Sequence, residues 1–155
     1  MRTPARIFDH PIHPMLIPFP IGLWVFSFAA DITYRVGGDP TWLTMAYWTM
    51  LAGTVGALVA AIPGLIDYLS LTDPYTVRIG TIHLTLNLTI VGLFVANLVL
   101  RSLGHPADAV QFILSLVAIA LLLVSGWFGW ELIYRGGVAV SPDIEIRARE
   151  RRGAA

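Results

Sequence analysis

His10-Pro11-Ile12-His13-Pro14 runs directly into Met15-Leu16-Ile17-Pro18-Phe19-Pro20-Ile21-Gly22 and on to Ala30 without an Asp, Glu, Lys or Arg. About 20 apolar residues, rising about 1.5 Å each as a helix, cross a hydrocarbon core about 30 Å thick. Three more charge-free intervals of that length follow: Pro40 to Ile66, Ile79 to Leu100, and Ala109 to Trp130. They predict an all-α, integral membrane four-helix bundle with helices at about 15–34, 42–69, 77–100 and 109–134. Gly37-Gly38-Asp39-Pro40, Thr72-Asp73-Pro74 and Gly104-His105-Pro106 mark the links, and Gly136-Gly137 closes the last helix. Links this short imply antiparallel neighbours. The chain divides into a proline-rich lead-in (1–14), a transmembrane domain (15–135) and a polar tail (136–155).

Composition agrees with this reading. The chain has 155 residues, 56% of them hydrophobic and 13% charged, and its mean hydropathy is +0.72. A soluble domain carries roughly 25% charged residues. The natural partner is therefore a lipid bilayer. Formal net charge is zero and lysine is absent, which leaves no basic footprint for nucleic acid. Without cysteine there is no disulfide, thiolate metal site or thiol nucleophile. Any metal must be held by nitrogen and oxygen. The N-terminal run, with Pro18 and Pro20 and no clear small-residue cleavage site, reads as a retained span rather than a secretory signal.

The arginines set the expected orientation. Arg2, Arg6, Arg78, Arg135, Arg147, Arg149, Arg151 and Arg152 fall on the side of both termini, and only Arg35 and Arg101 on the other. By the positive-inside rule both termini are expected in the cytoplasm. Trp24, Trp42, Trp48, Trp127 and Trp130 lie mostly towards span ends and are expected to form an aromatic belt.

Lipid offers no hydrogen bonds, so polar residues within spans should face the bundle interior. Thr76, Gly80, His83, Asn87, Ile90, Phe94, Asn97 and Arg101 form one stripe of the third span at steps of three or four. Gly53, Gly56, Ala60, Gly64 and Asp67 form a nearly side-chain-free groove on the second. Ser115, Ala118, Leu122, Ser125 and Gly129, with Glu131 just beyond, make a small face on the fourth. Antiparallel order puts His10, His13, Asp67, His83 and Glu131 in the cytoplasmic half, with Asp31 and His105 opposite. His10 and His13 each precede a proline, which disfavours helix and predicts an extended lead-in. Three residues of such a chain advance about 9 Å, so only one of the two is expected to ligate any one metal. His13, nearer the span, is the better candidate.

Two cofactor readings follow. In the first, haem b lies between helices with His83 as one axial ligand and His13, or else His10, as the other; Gly56 and Gly64 leave room for a porphyrin face, and Asn87 lies beside His83. That would make a b-type cytochrome-like electron carrier. In the second, a non-haem iron or zinc is held by His83, His13, Asp67 and Glu131. A structural bundle or an ion pathway without cofactor is the third reading. There Glu131 pairs with Arg135, Asp31 with Arg35 and Asp67 with Arg78, while His83 and Asn87 tie helices together. No phosphate-cradling glycine loop, nucleophile elbow or His-Glu-x-x-His occurs. Hydrolase and transferase chemistry thus have no motif, and a membrane redox component is the enzymatic role left open.

Several of these residues carry a resemblance. His10-Pro11-Ile12-His13-Pro14 with Phe19-Pro20-Ile21-Gly22, Gly64-Leu65-Ile66-Asp67, His83 with Asn87, and Gly126-Trp127-Phe128-Gly129-Trp130-Glu131 closing at Tyr134-Arg135-Gly136-Gly137-Val138 resemble the bacterial membrane family called domain of unknown function 2231. The likeness spans about residues 7 to 142. It implies a four-span protein of the bacterial cytoplasmic membrane, and relatives fused to Rieske-type domains imply a redox partner. A homodimer is also compatible with it. The resemblance supplies no ligand set.

Overall fold

The computed structural model describes residues 3–104 and 109–140. His105 and the tail from Ser141 onward lie outside them. A two-stranded hairpin, β1 (Arg6–Ile7) and β2 (His10–Pro11), leads into a short helix α1 (Ile12–Leu16) and then α2 (Pro18–Gly37), α3 (Thr41–Leu69), α4 (Pro74–Ser102) and α5 (Ala109–Tyr134). Four helical stretches are long and apolar enough to cross a membrane, α1 and α2 counting as one. The protein is an all-α four-helix membrane bundle. α2 packs chiefly on α3 and α4 on α5, with α3–α4 and α2–α5 contacts closing the ring. The near end is defined here as the one where α1 and α4 begin and α3 and α5 finish; the far end is the other.

The lead-in is extended at His10, in β2, as expected, but not at His13. Phe8 (φ 48°) and Asp9 (φ 64°) make a tight turn between β1 and β2, since two central residues at positive φ match the twist of a hairpin. Ile12 N–H then donates to Ala5 O (3.0 Å), and α1 starts there. His13 is consequently helical, although it precedes a proline. Pro14 falls in the first turn of α1, where no N–H is required of it. Pro18 opens α2 in the same way. At the start of α4, the Asp73 carboxylate accepts from Thr76 N–H (2.9 Å) and Pro74 takes the first helical position. That cap begins the helix three residues earlier than hydropathy alone indicates.

The apolar centre is Trp24, Met50, Ile90, Phe94, Ala118 and Leu122. Trp24 is a core residue, not part of a belt. Its ring stacks on Phe94 across the bundle (centroids 4.5 Å apart), its Nε1–H donates to Thr54 Oγ1 (3.3 Å), and a Cβ at Gly53 would lie 2.8 Å from its Cδ1. Trp48, Trp127 and Trp130 are exposed, as expected of a belt.

Polar residues at the far end differ from expectation in their partners. Asp31 pairs with Arg101, not Arg35, and both are buried. Arg35 instead lies over the Phe112 ring, 4.4 Å from its centroid. Arg101 Nε–H also donates to Asn97 Oδ1 (3.0 Å), and Asn97 Nδ2–H to Gln111 O and Ser115 Oγ (2.8 Å each). The charged pair thus joins α2 to α4 diagonally, with α5 tied in by an amide.

Candidate functional site: two imidazoles anchored to backbone carbonyls

The α4 stripe is placed as its spacing predicts, with Thr76, Gly80, Ile90, Phe94, Asn97 and Arg101 buried and His83 and Asn87 half-buried inside the bundle. His83 Nδ1 lies 2.9 Å from Ser125 O on α5. His13 Nδ1 lies 2.8 Å from Ala60 O on α3. A carbonyl oxygen can only accept, so in both rings Nδ1 carries the proton and donates. In the neutral ring Nε2 then keeps the lone pair.

Small residues make these positions possible. A Cβ at Gly64 would sit 2.7 Å from His13 Nδ1, and one at Gly129 would sit 3.1 Å from His83 Cε1. Each ring therefore lies against a bare turn of the neighbouring helix. The α3 groove expected to receive a porphyrin face is filled by the first span: Trp24 lies at Gly53, Pro20 at Gly56 (3.6 Å) and His13 at Gly64. The nearest atoms to an added Cβ at Gly56 all belong to Pro20. Pro63 is buried inside α3; its missing N–H leaves the Val59 carbonyl without its helical donor, and its ring spreads that turn. The next carbonyl, that of Ala60, is the one that accepts from His13.

Asn87 braces the second ring. Its Nδ2 lies 2.8 Å from His83 O, 2.8 Å from Ser125 Oγ and 3.1 Å from His83 Nε2. Two amide protons meet three acceptors, and the two shorter contacts take them. The Nε2 lone pair is left with the weakest of the three.

The other residues singled out by the sequence are engaged elsewhere. His10 is exposed on the hairpin, with Nδ1 2.7 Å from Phe8 O. Asp67 Oδ1 accepts from Ala5 N–H (2.9 Å), not from Arg78, and so fastens the lead-in to α3. Glu131 Oε1 accepts from Tyr75 Oη–H (2.6 Å) and pairs with Arg135 (3.0 Å), the latter as its spacing predicts. Among the described residues no three of His, Asp and Glu are grouped closely enough to hold a metal ion together. Sequence reasoning missed the carbonyls of Ala60 and Ser125 as ring anchors. The signal available for them was the small residue four positions on in each helix, Gly64 and Gly129.

No curated protein and no solved structure matches the chain. A family model does match, over residues 9–142, which takes in β2, all four spans and both imidazoles. The chain therefore belongs to the family described as "Predicted membrane protein (DUF2231)".

Proposed function

We propose that this protein is a b-type cytochrome-like electron carrier of the membrane, in which Nε2 of His13 and Nε2 of His83 are the axial ligands of a haem. The observation that carries the reading is the pair of Nδ1–H···O=C bonds to Ala60 and Ser125. A backbone carbonyl on Nδ1 fixes the tautomer and ring orientation of a ligating histidine and raises the basicity of its other nitrogen. The donor set fits the group: a porphyrin supplies four equatorial nitrogens and asks two of the protein. A non-haem iron or zinc ion would draw three or four protein ligands, whereas Asp67 and Glu131 are held by Ala5, Tyr75 and Arg135. When bound, haem iron supplies reversible one-electron chemistry at a potential set by its axial ligands and surroundings. This chain's residues hold the two rings in place, and the lipid-facing shell keeps water from them. Because Trp24, Pro20 and His13 fill the glycine turns of α3, a macrocycle would not lie against that helix.

The test is the absorption spectrum of protein purified in mild detergent after expression with haem supplied. A Soret band, an α band on reduction, loss of both in His13→Ala and His83→Ala, and retention in His10→Ala are expected. A wild-type preparation without Soret absorbance or extractable haem overturns the proposal, and bound iron or zinc without a Soret band transfers it to the non-haem reading.

A further inference from the structure

The hairpin ahead of the first span is fixed at its root and bare at its tip. Thr3 and Ala5 are buried. Ala5 N–H donates to Asp67 Oδ1 (2.9 Å) and Ala5 O accepts from Ile12 N–H (3.0 Å), so the root stands on the last turn of α3. Arg6 Nε–H donates back to Thr3 O (2.9 Å) and braces β1. Beyond this point the chain leaves the bundle. Ile7 is 56% exposed and Phe8, in the turn, 93%, so the Phe8 ring touches almost nothing of its own chain. Its backbone also lies in the left-handed region (φ 48°), which a bulky side chain seldom adopts and which hairpin turns usually fill with glycine or asparagine. Hairpin stability alone does not account for phenylalanine here.

Reach decides what meets the ring. α3 has 29 residues and at about 1.5 Å each extends about 44 Å, which matches a bilayer of about 40–45 Å with its headgroups and exceeds a hydrocarbon core of about 30 Å. Asp67 lies two residues before the end of that helix, so the hairpin root stands at headgroup level. Two strand residues carry the chain only about 7 Å from root to tip, about the thickness of one headgroup layer. The tip therefore stays beside lipid. Exposed Met15 and Phe19, four residues apart on the first span, continue the apolar surface towards the acyl chains. The charges on the hairpin do not oppose contact with an anionic surface, because the Asp9 carboxylate stands 4.0 Å from Arg6 Nη1 and offsets it. A second copy of the chain is a poorer occupant: one ring and one isoleucine offer far less area than the roughly 800 Å² per partner of a stable interface. We propose that the hairpin tip is an interfacial anchor, in which the Phe8 ring, with Ile7 beside it, inserts at the boundary between headgroups and acyl chains, as the apolar face of an interfacial segment does.

The chain has no cysteine, so a nitroxide can be attached at a single chosen position. Full-length Phe8→Cys and, separately, Ile7→Cys proteins are spin-labelled and reconstituted into phosphatidylcholine–phosphatidylglycerol vesicles. Power-saturation electron paramagnetic resonance then compares collisions with oxygen, which concentrates in lipid, and with a water-soluble nickel chelate. Oxygen should dominate at position 8, and nickel at a label on Asp39→Cys in the exposed link between α2 and α3. Dominant nickel collisions at position 8 would mean that the tip stands in water. A label immobilised and shielded from both reagents would mean that protein covers it, whether a second copy or another chain. Either result overturns the proposal. Should Phe8→Cys fail to fold, Ile7→Cys decides by the same criterion. None of these substitutions alters His13 or His83, so the anchor stands or falls separately from the haem reading.

Discussion

At the near end of the bundle, His13 and His83 each commit one ring nitrogen to a backbone carbonyl and keep the other as a lone pair. At the far end, Asp31 and Arg101 are committed to each other across the diagonal. Both arrangements place ionisable groups at membrane depth, where they are costly, yet they solve different problems. The far-end carboxylate and guanidinium satisfy most of each other's needs and cross-link α2 with α4. The near-end rings are oriented by their carbonyls, and His83 Nε2 meets only the longest of the Asn87 amide contacts (3.1 Å). An ionisable residue inside a membrane is thus informative about function chiefly through the valence it leaves unused.

That contrast can be broken by substitution. The largest effect is expected from His83→Ala, which on the proposed haem reading should abolish Soret absorbance entirely while circular dichroism shows the helices retained, because His83 lies outside the apolar core cluster. Asp31→Ala should do the reverse. It leaves Arg101 buried and unpaired, a change that costs about 3–5 kcal/mol, and thermal unfolding in detergent should show a large loss of stability. Replacing both partners, Asp31→Leu with Arg101→Met, should recover most of that loss, since an apolar pair of similar volume is often neutral. Failure of the double variant to recover would mean that the pair does more than join two helices.

Smaller effects sharpen the near end. Gly64→Ala puts a Cβ 2.7 Å from His13 Nδ1, so the ring must shift, and the haem spectrum should change towards a species lacking one imidazole with the fold retained. An unaltered spectrum would show that His13 is not held against Gly64. Asp67→Ala removes the acceptor for Ala5 N–H and should lower stability by about 1 kcal/mol, read as a lower unfolding temperature. Gly92→Ala is the smallest. A Cβ there meets nothing within 4 Å, and replacing an open helical glycine should leave stability unchanged or raise it by up to about 1 kcal/mol.

Much of the bundle was legible in the residues themselves. Charge-free lengths mark four spans, and the stripe from Thr76 to Arg101 lies inward as its period requires. The same pattern put His83 and Asn87 on one face and identified Gly64 and Gly129 as parts of small faces. What sequence could not display were partners set by the meeting of distant helices. Asp31 has a plausible mate four residues away in Arg35, but its actual mate is 70 residues on, because α2 and α4 face each other diagonally and Arg101 lies on the inward stripe. Trp24 resembles a belt residue until Gly53 is seen opposite it. The anchors of both imidazoles are backbone carbonyls, which no side-chain pattern reports. The glycine groove was visible, but its occupants were not: an empty turn suits a porphyrin or an imidazole equally well, and here His13 fills it. The hairpin at Phe8 and Asp9 was hidden for a further reason, since phenylalanine at positive φ runs against local preference and is held by the pairing of β1 with β2.

The central claim is that His13 and His83 together offer two lone-pair nitrogens to one iron. Low-temperature electron paramagnetic resonance of the oxidised, haem-loaded protein tests it most directly. A low-spin ferric signal of bis-imidazole type is predicted, lost in either His13→Ala or His83→Ala and preserved in His10→Ala. A high-spin signal in the wild type, or a low-spin signal that survives removal of His13, would contradict the account.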